Sequence, residues 1–270
     1  MNMIRAEFRK LSRPLVIWAA ILCGMIFMYT SLFDSVKGMF EQKLNALPTE
    51  LLGMFRMGDF ASLASYNTYY ATIFTFLMLA ASCFAIITGV NLLIREEGDG
   101  TIEFLNAQPV TRRQIVSAKI LASLFAMLLL CAAMIATSFF GAFAFSKQSD
   151  FMPALLAMTK ICYLPIFVFL FVGLMLSSLL RKPSSAVSIA LGLFFTTYIL
   201  GAIGGMVEDV SFLKWISPID YVIPTQVINA APVSPLGGAY DYTGVFASFA
   251  IIIVCIGVTY FAYSRRNLRV

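Results

Sequence analysis

Glu96 and Glu97 are adjacent carboxylates in the one stretch where acids and bases crowd together, Arg95-Glu-Glu-Gly-Asp-Gly-Thr-Ile-Glu-Phe-Leu-Asn-Ala-Gln-Pro-Val-Thr-Arg-Arg-Gln-Ile-Val-Ser-Ala-Lys119. Paired acids can activate water or hold a metal. Either role requires further groups that this chain lacks. It contains no His, which removes the commonest general base and the usual zinc ligand. Its five cysteines, Cys23, Cys83, Cys131, Cys162 and Cys255, stand singly in or beside apolar runs with no CxxC spacing, and read as small core hydrophobes. A serine nucleophile would lack its base. There is no G-x-x-x-x-G-K-[ST] stretch to cradle nucleotide phosphates. The chain is therefore expected to be no enzyme and to hold no cofactor or metal. For acids and bases gathered around helix ends, the remaining roles are a charged handle for another protein or a plain solvated loop.

The elements that carry this stretch follow from composition. Of 270 residues, 60% are hydrophobic and 12% charged, with a mean hydropathy of +0.87. A soluble domain carries about 25% charge, so the bilayer is the expected solvent. Six runs are long enough to span it: about 15–33, 68–94, 116–145, 154–180, 185–207 and 243–263. They predict an all-α integral membrane protein forming one domain over 1–270. The first run is too long for the apolar part of a signal peptide and is expected to be retained.

With both termini on the cytoplasmic side, 13 of the 19 Lys and Arg residues fall there, against 5 of the 14 acids. The positive-inside rule selects that orientation in the plasma membrane. The basic surplus then belongs to topology and to contact with anionic lipids, with no nucleic-acid partner.

Met1, Ile4, Phe8 and Leu11 recur on one helical face, with Arg5, Arg9 and Lys10 elsewhere, so residues before the first span predict an amphipathic helix lying at the inner interface. In the outer excursion 34–67, Val36, Met39, Phe40, Lys43, Leu44 and Leu47 predict a second one, ending near Pro48. A further excursion, 208–242, combines the interfacial residues Trp215 and Tyr221 with several prolines and glycines, and part of it is expected to re-enter the membrane edge. Gly201 and Gly205 form a GxxxG, a close-packing signal first and a dimer signal second.

Between spans two and three, Gly98 and Gly100 can end one helix, a short element can form over Thr101–Gln108, and Pro109 stops it. Thr111 and Gln114 then have the spacing of a capping box, and Val110 can pack on Ile115 as a staple. A helix from Arg112 to Phe145 would be about 50 Å long, so its first turns are expected to project beyond the hydrocarbon. No Asp or Glu interrupts the apolar runs, and Lys160 lies near the end of one. That argues against ion-coupled transport. The mild polar residues Tyr69, Thr72, Thr75, Asn91, Thr196 and Thr197 could line a pathway or serve as helix-packing glue.

The pattern R-E-E-x-x-G-T-x-E-x-L, then P-V-x-R-x-x-I-x-x-x-K, resembles the intracellular loop of ABC-2 type transporter permeases. Here it comprises Arg95, Glu96, Glu97, Gly100, Thr101, Glu103, Leu105, Pro109, Val110, Arg112 or Arg113, Ile115 and Lys119. The six spans, the amphipathic start, Leu47-Pro-Thr-Glu-Leu-Leu, Ile216-Ser-Pro and Ser264-Arg-Arg-Asn-Leu extend the likeness over most of the chain. The resemblance implies the membrane subunit of an ABC exporter. Its loop would be a coupling element, formed by Glu96, Glu97, Gly98, Gly100, Thr101, Glu103, Pro109, Val110, Thr111, Arg112 and Lys119, that docks on a separate ATPase. It further implies two ATPase subunits carrying ATP and Mg²⁺, a second permease copy or related permease, and an N-terminal interface helix flanking the coupling element. An amphipathic or hydrophobic cargo suits the uncharged spans. A passive channel or an accessory self-resistance protein is the alternative on the same scaffold.

Overall fold

In hydrocarbon every backbone N–H and C=O must be paired within its own segment, so long apolar runs become uninterrupted helices. The computed structural model describes residues 2–42, 65–98, 111–145, 151–180, 183–230 and 242–265, and all regular structure among them is helical. Six stretches are long and apolar enough to cross a bilayer: Met3–Gly38, Tyr66–Ile94, Arg112–Phe145, Phe151–Leu179, Ser185–Met206 and Thr243–Arg265. They correspond one for one to the runs read from the sequence.

Two elements depart from expectation. The N-terminal amphipathic stretch is not a separate interfacial helix. It continues through the first span into the outer excursion as a single helix α1, Asn2–Gln42, of 41 residues, about 60 Å long. The one helix-breaking side chain within it is Pro14, which removes the bond to the Lys10 carbonyl without ending the helix. Lys43, Leu44, Leu47 and Pro48 lie outside the described residues. The fourth span is divided rather than continuous. It comprises α4, Phe151–Ile161, and α5, Leu164–Leu179. Pro165 occupies the first turn of α5, where its missing N–H is harmless. A continuous helix would press the proline ring against the Ile161 carbonyl.

Between α1 and α4 run α2, Tyr66–Gly98, and α3, Arg112–Phe145, the latter starting where its cap predicts and running unbroken through the apolar run. After α5 come α6, Pro183–Met206, a 3-10 segment Glu208–Ile216, α7, Pro224–Ala230, and α8, Thr243–Arg265.

The centre of the bundle is the crossing of α2 and α5. A Cβ added at Gly89 would strike the Leu170 carbonyl oxygen, and one at Gly173 the Ile86 carbonyl oxygen, so the two backbones touch. Without a hydrophobic drive between helices in lipid, such close approach supplies the packing energy. The most apolar windows of α2 and of the α4–α5 span are 67% buried, against 22% for α1 and 17% for α8. α1 packs along α3, α8 against α5, and α6 against α2 and the 3-10 segment.

The second excursion does fold back into the bundle: Ile219, Val222, Val227 and Ile228 are buried in the same core as α2 and α5. It is received by Gly201 and Gly204. A Cβ at Gly201 would meet the side chains of Asp220 and Ser217, and one at Gly204 the Lys214 nitrogen at 2.9 Å. Gly205 faces open space. The small residues that pack are thus a pair three apart, and their partner is this chain's own re-entrant segment. Tyr221 donates from its hydroxyl to the Trp215 carbonyl, and burial, with Asp220 nearby, holds its phenol above the usual range.

Candidate functional site

The helix that follows the charged connection begins with the reciprocal hydrogen bonds expected of its sequence. The Gln114 N–H donates to Thr111 Oγ1 at 3.4 Å, and the Thr111 N–H donates to Gln114 Oε1 at 2.9 Å. Two orphan donors of the first turn are thereby satisfied. Thr111, Arg112, Arg113 and Gln114 are exposed, and burial begins at Ile115. α3 therefore presents a fixed, cationic first turn.

Below that turn the two stems of the connection are tied together by polar groups. Lys119, about 10 Å along the helix from Arg112, is 1% exposed. Its Nζ donates to the Leu92 carbonyl of α2 at 2.6 Å and to Glu7 Oε2 of α1 at 3.3 Å. The other Glu7 oxygen accepts from Lys10 at 3.0 Å. At the next two residues of α2, the N–H groups of Leu93 and Ile94 both donate to Ser177 Oγ of α5, each at 3.0 Å. On α3, Ser117 Oγ lies 2.7 Å from the Tyr260 hydroxyl of α8. Of the residues that flank the connection, 92–94 are thus bonded to α3 and α5, and 117–119 to α1, α2 and α8. Each such bond contributes modestly on its own, but together they set the relative height of the helices they join.

A cavity of about 230 Å³ opens beside the ion pair, between Leu11 and Pro14 of α1 and Phe84, Ile87 and Thr88 of α2, with Glu7, Lys10, Asn91 and Lys119 along its polar side. Its lining is half aliphatic and aromatic, half capable of hydrogen bonding.

The residues expected to form the coupling element are distributed unequally. Glu96, Glu97 and Gly98 fall in the last turn of α2, and their side chains lie outside the described residues. So do Gly100, Thr101, Glu103, Pro109 and Val110. Thr111 and Arg112 face outward. Lys119 does not; it turns into the bundle.

The residues read as possible pathway lining are mostly engaged with their own helices. Thr72 donates to Thr68 O, Thr75 to Ala71 O and Thr197 to Phe194 O, each at 2.9 Å. Tyr69 donates to Tyr29 O at 3.1 Å, tying α2 to α1. Asn91 donates to Ile87 O at 2.9 Å and lines the cavity. Thr196 is exposed on α6. Four of these bonds return to a carbonyl about one turn earlier in the same helix, and that of Tyr69 joins two helices.

Sequence reasoning overlooked Glu7, although its position carries a signal. Ile4, Glu7, Phe8 and Leu11 follow i, i+3, i+4, i+7, so the acid sits in the apolar stripe. All four are turned inward to some degree. The partners Ser117, Tyr260 and Ser177 carry no such mark, because a hydroxyl in an apolar helix reads as packing.

No curated protein matches the chain. A family model described as ABC-2 family transporter protein matches residues 1–268. Its span covers every element described above, and the chain belongs to the ABC-2 transporter family, as a multi-pass membrane permease component of an ABC transporter.

Proposed function

We propose that this chain is the permease half of an ATP-driven exporter and that the connection from Arg95 to Thr111, with the first turns of α3, is its coupling element. The supporting observation is the tied frame: an exposed, capped first turn whose stem is bonded to α1, α2 and α8 within two helical turns. A rigid stem converts a push on its tip into movement of the spans, whereas a loosely held loop would absorb it.

In this reading Glu96, Glu97 and Glu103 meet basic residues of the ATPase, while Thr111 and Arg112 fix the tip. Gly98, Gly100, Thr101, Pro109 and Val110 shape the turn, and Lys119 holds the base. ATP and Mg²⁺ bind in the partner chain, two ATPase subunits serve two permeases, and the basic end with both termini is cytoplasmic, in the plasma membrane. The second permease is a further copy of this chain or a related one. Cargo is amphipathic or hydrophobic, since the apolar runs carry no Asp or Glu with which to hold a small ion.

The test is affinity purification of the tagged chain from its own host in mild detergent, with identification of co-purifying proteins and an ATPase assay on the eluate. A stoichiometric P-loop ATPase is expected, and Glu97→Lys with Glu103→Lys is expected to release it. Repeated recovery of the chain alone would overturn the reading in favour of a passive channel or accessory protein.

A further inference from the structure

A buried ion pair contributes little net stability, because desolvating two charges offsets most of their attraction. What the Glu7–Lys119 pair does provide is a connection. One ammonium, rooted on α3, holds a carboxylate on α1 and a carbonyl on α2 at once. Seven residues beyond Glu7 lies Pro14, where α1 lacks a backbone bond and where helices bend most readily. The 230 Å³ cavity lies against that proline, leaving room for the segment before it to tilt toward α2. A second contact, between the rings of Phe8 and Phe125 at 5.2 Å, keeps the same segment on α3 without fixing its height, since apolar rings can slide where an ion pair cannot.

We propose that Glu7 and Lys119 are positioning residues that make the segment of α1 before Pro14 travel with the start of α3 when the coupling element moves, so that the stroke reaches the first span through the proline hinge. The inference rests on the coupling reading above. Lys119 acts as the crank, Glu7 as the pin, and the cavity is the clearance that the tilt uses.

The experiment uses the full chain with its co-purified ATPase in nanodiscs, its native cysteines replaced by alanine, and nitroxide pairs read by pulsed electron resonance with and without ATP and vanadate. One pair, Ala6→Cys with Leu121→Cys, spans α1 and α3. A reference pair, Leu121→Cys with Ser185→Cys, spans α3 and α6. In the native background the reference distance is expected to shift on nucleotide trapping while the α1–α3 distance holds. In the neutral double variant Glu7→Gln, Lys119→Met, the α1–α3 distance is expected to shift as much as the reference. The exchange Glu7→Lys, Lys119→Glu restores the α1–α3 link without the bond to Leu92, and is expected to hold the distance again. It keeps the test decisive should the neutral variant fail to assemble.

A native α1–α3 distance that changes with nucleotide, or a variant distance that stays fixed, overturns the inference while leaving the coupling reading intact. A reference pair that ignores nucleotide, or a preparation without ATPase, overturns both.

Discussion

The two ends of the bundle are held by different chemistry. At the end carrying the N-terminus and the 95–111 connection, helices are joined by Lys119 to Glu7 and Leu92, by Ser177 to Leu93 and Ile94, and by Ser117 to Tyr260. At the opposite end they are joined by rings. Phe33 meets Tyr66 at 5.0 Å, Tyr66 meets Phe151 at 4.6 Å, Tyr70 meets Phe151 at 5.2 Å, and Phe74 meets Tyr163 at 5.2 Å. Two hydroxyl bonds, Tyr70 to Ser138 and Tyr69 to the Tyr29 carbonyl, run through the cluster. Rings packed edge to face gain from many weak contacts and lose them gradually. Hydrogen bonds and ion pairs hold one geometry and can be exchanged for another. Under the proposed coupling reading, the ring-packed end anchors and the polar end transmits.

The comparison presumes a fixed centre, and the largest expected effect is there. Gly89→Leu would drive a side chain into the α5 backbone, at a cost above about 3 kcal/mol for overpacking with no room to relax. Size-exclusion profiles should lose the monodisperse species, whereas Gly24→Ala, with nothing within 4 Å of its Cβ, should elute as the native chain. A well-behaved Gly89→Leu would mean that the two backbones do not touch.

Next comes the polar end. Glu7→Ala takes the carboxylate from a lysine that is 1% exposed and should destabilise by about 3 kcal/mol, the scale of breaking a buried pair. The neutral double variant at Glu7 and Lys119 should recover most of that in detergent melting curves. At the ring-packed end, Phe151→Leu removes two edge-to-face contacts at about 1 kcal/mol each, and should lower the melting point without altering nucleotide response. If instead it abolished the response while leaving melting unchanged, the assignment of anchor and transmitter would be reversed. The smallest effect is that of Ser117→Ala, about 0.6 kcal/mol for one hydrogen bond between membrane helices. Tyr260→Phe should match it, and the double variant should cost no more than either alone.

How much of this could be read from the chain varies with the range of the interaction. Six spans follow from hydropathy because bilayer thickness alone sets their length. The start of α3 at Arg112 followed from Thr111 and Gln114, since a capping box needs only residues three apart. The break at Cys162 and Tyr163 was signalled by Pro165 and overlooked, because a proline can also be absorbed as a kink. The continuity of α1 past Pro14 went unseen for the converse reason. Gly205 was nominated for packing and Gly204 did the work, because which face of α6 meets the re-entrant segment is settled by that segment's path.

At the candidate site, the sequence by itself determined the charged connection, its capped exit helix and the amphipathic start, all of which depend on local spacing. Only the tertiary structure decided that Lys119 turns inward, that its carboxylate is Glu7, 112 positions away, and that Leu92, Ser177 and Tyr260 complete the frame. The physical reason is that helical periodicity gives the direction of a side chain about its own axis, but not which helix lies there or at what height. Both are set when the glycines of α2 and α5 bring their backbones into contact and the remaining helices pack around that crossing.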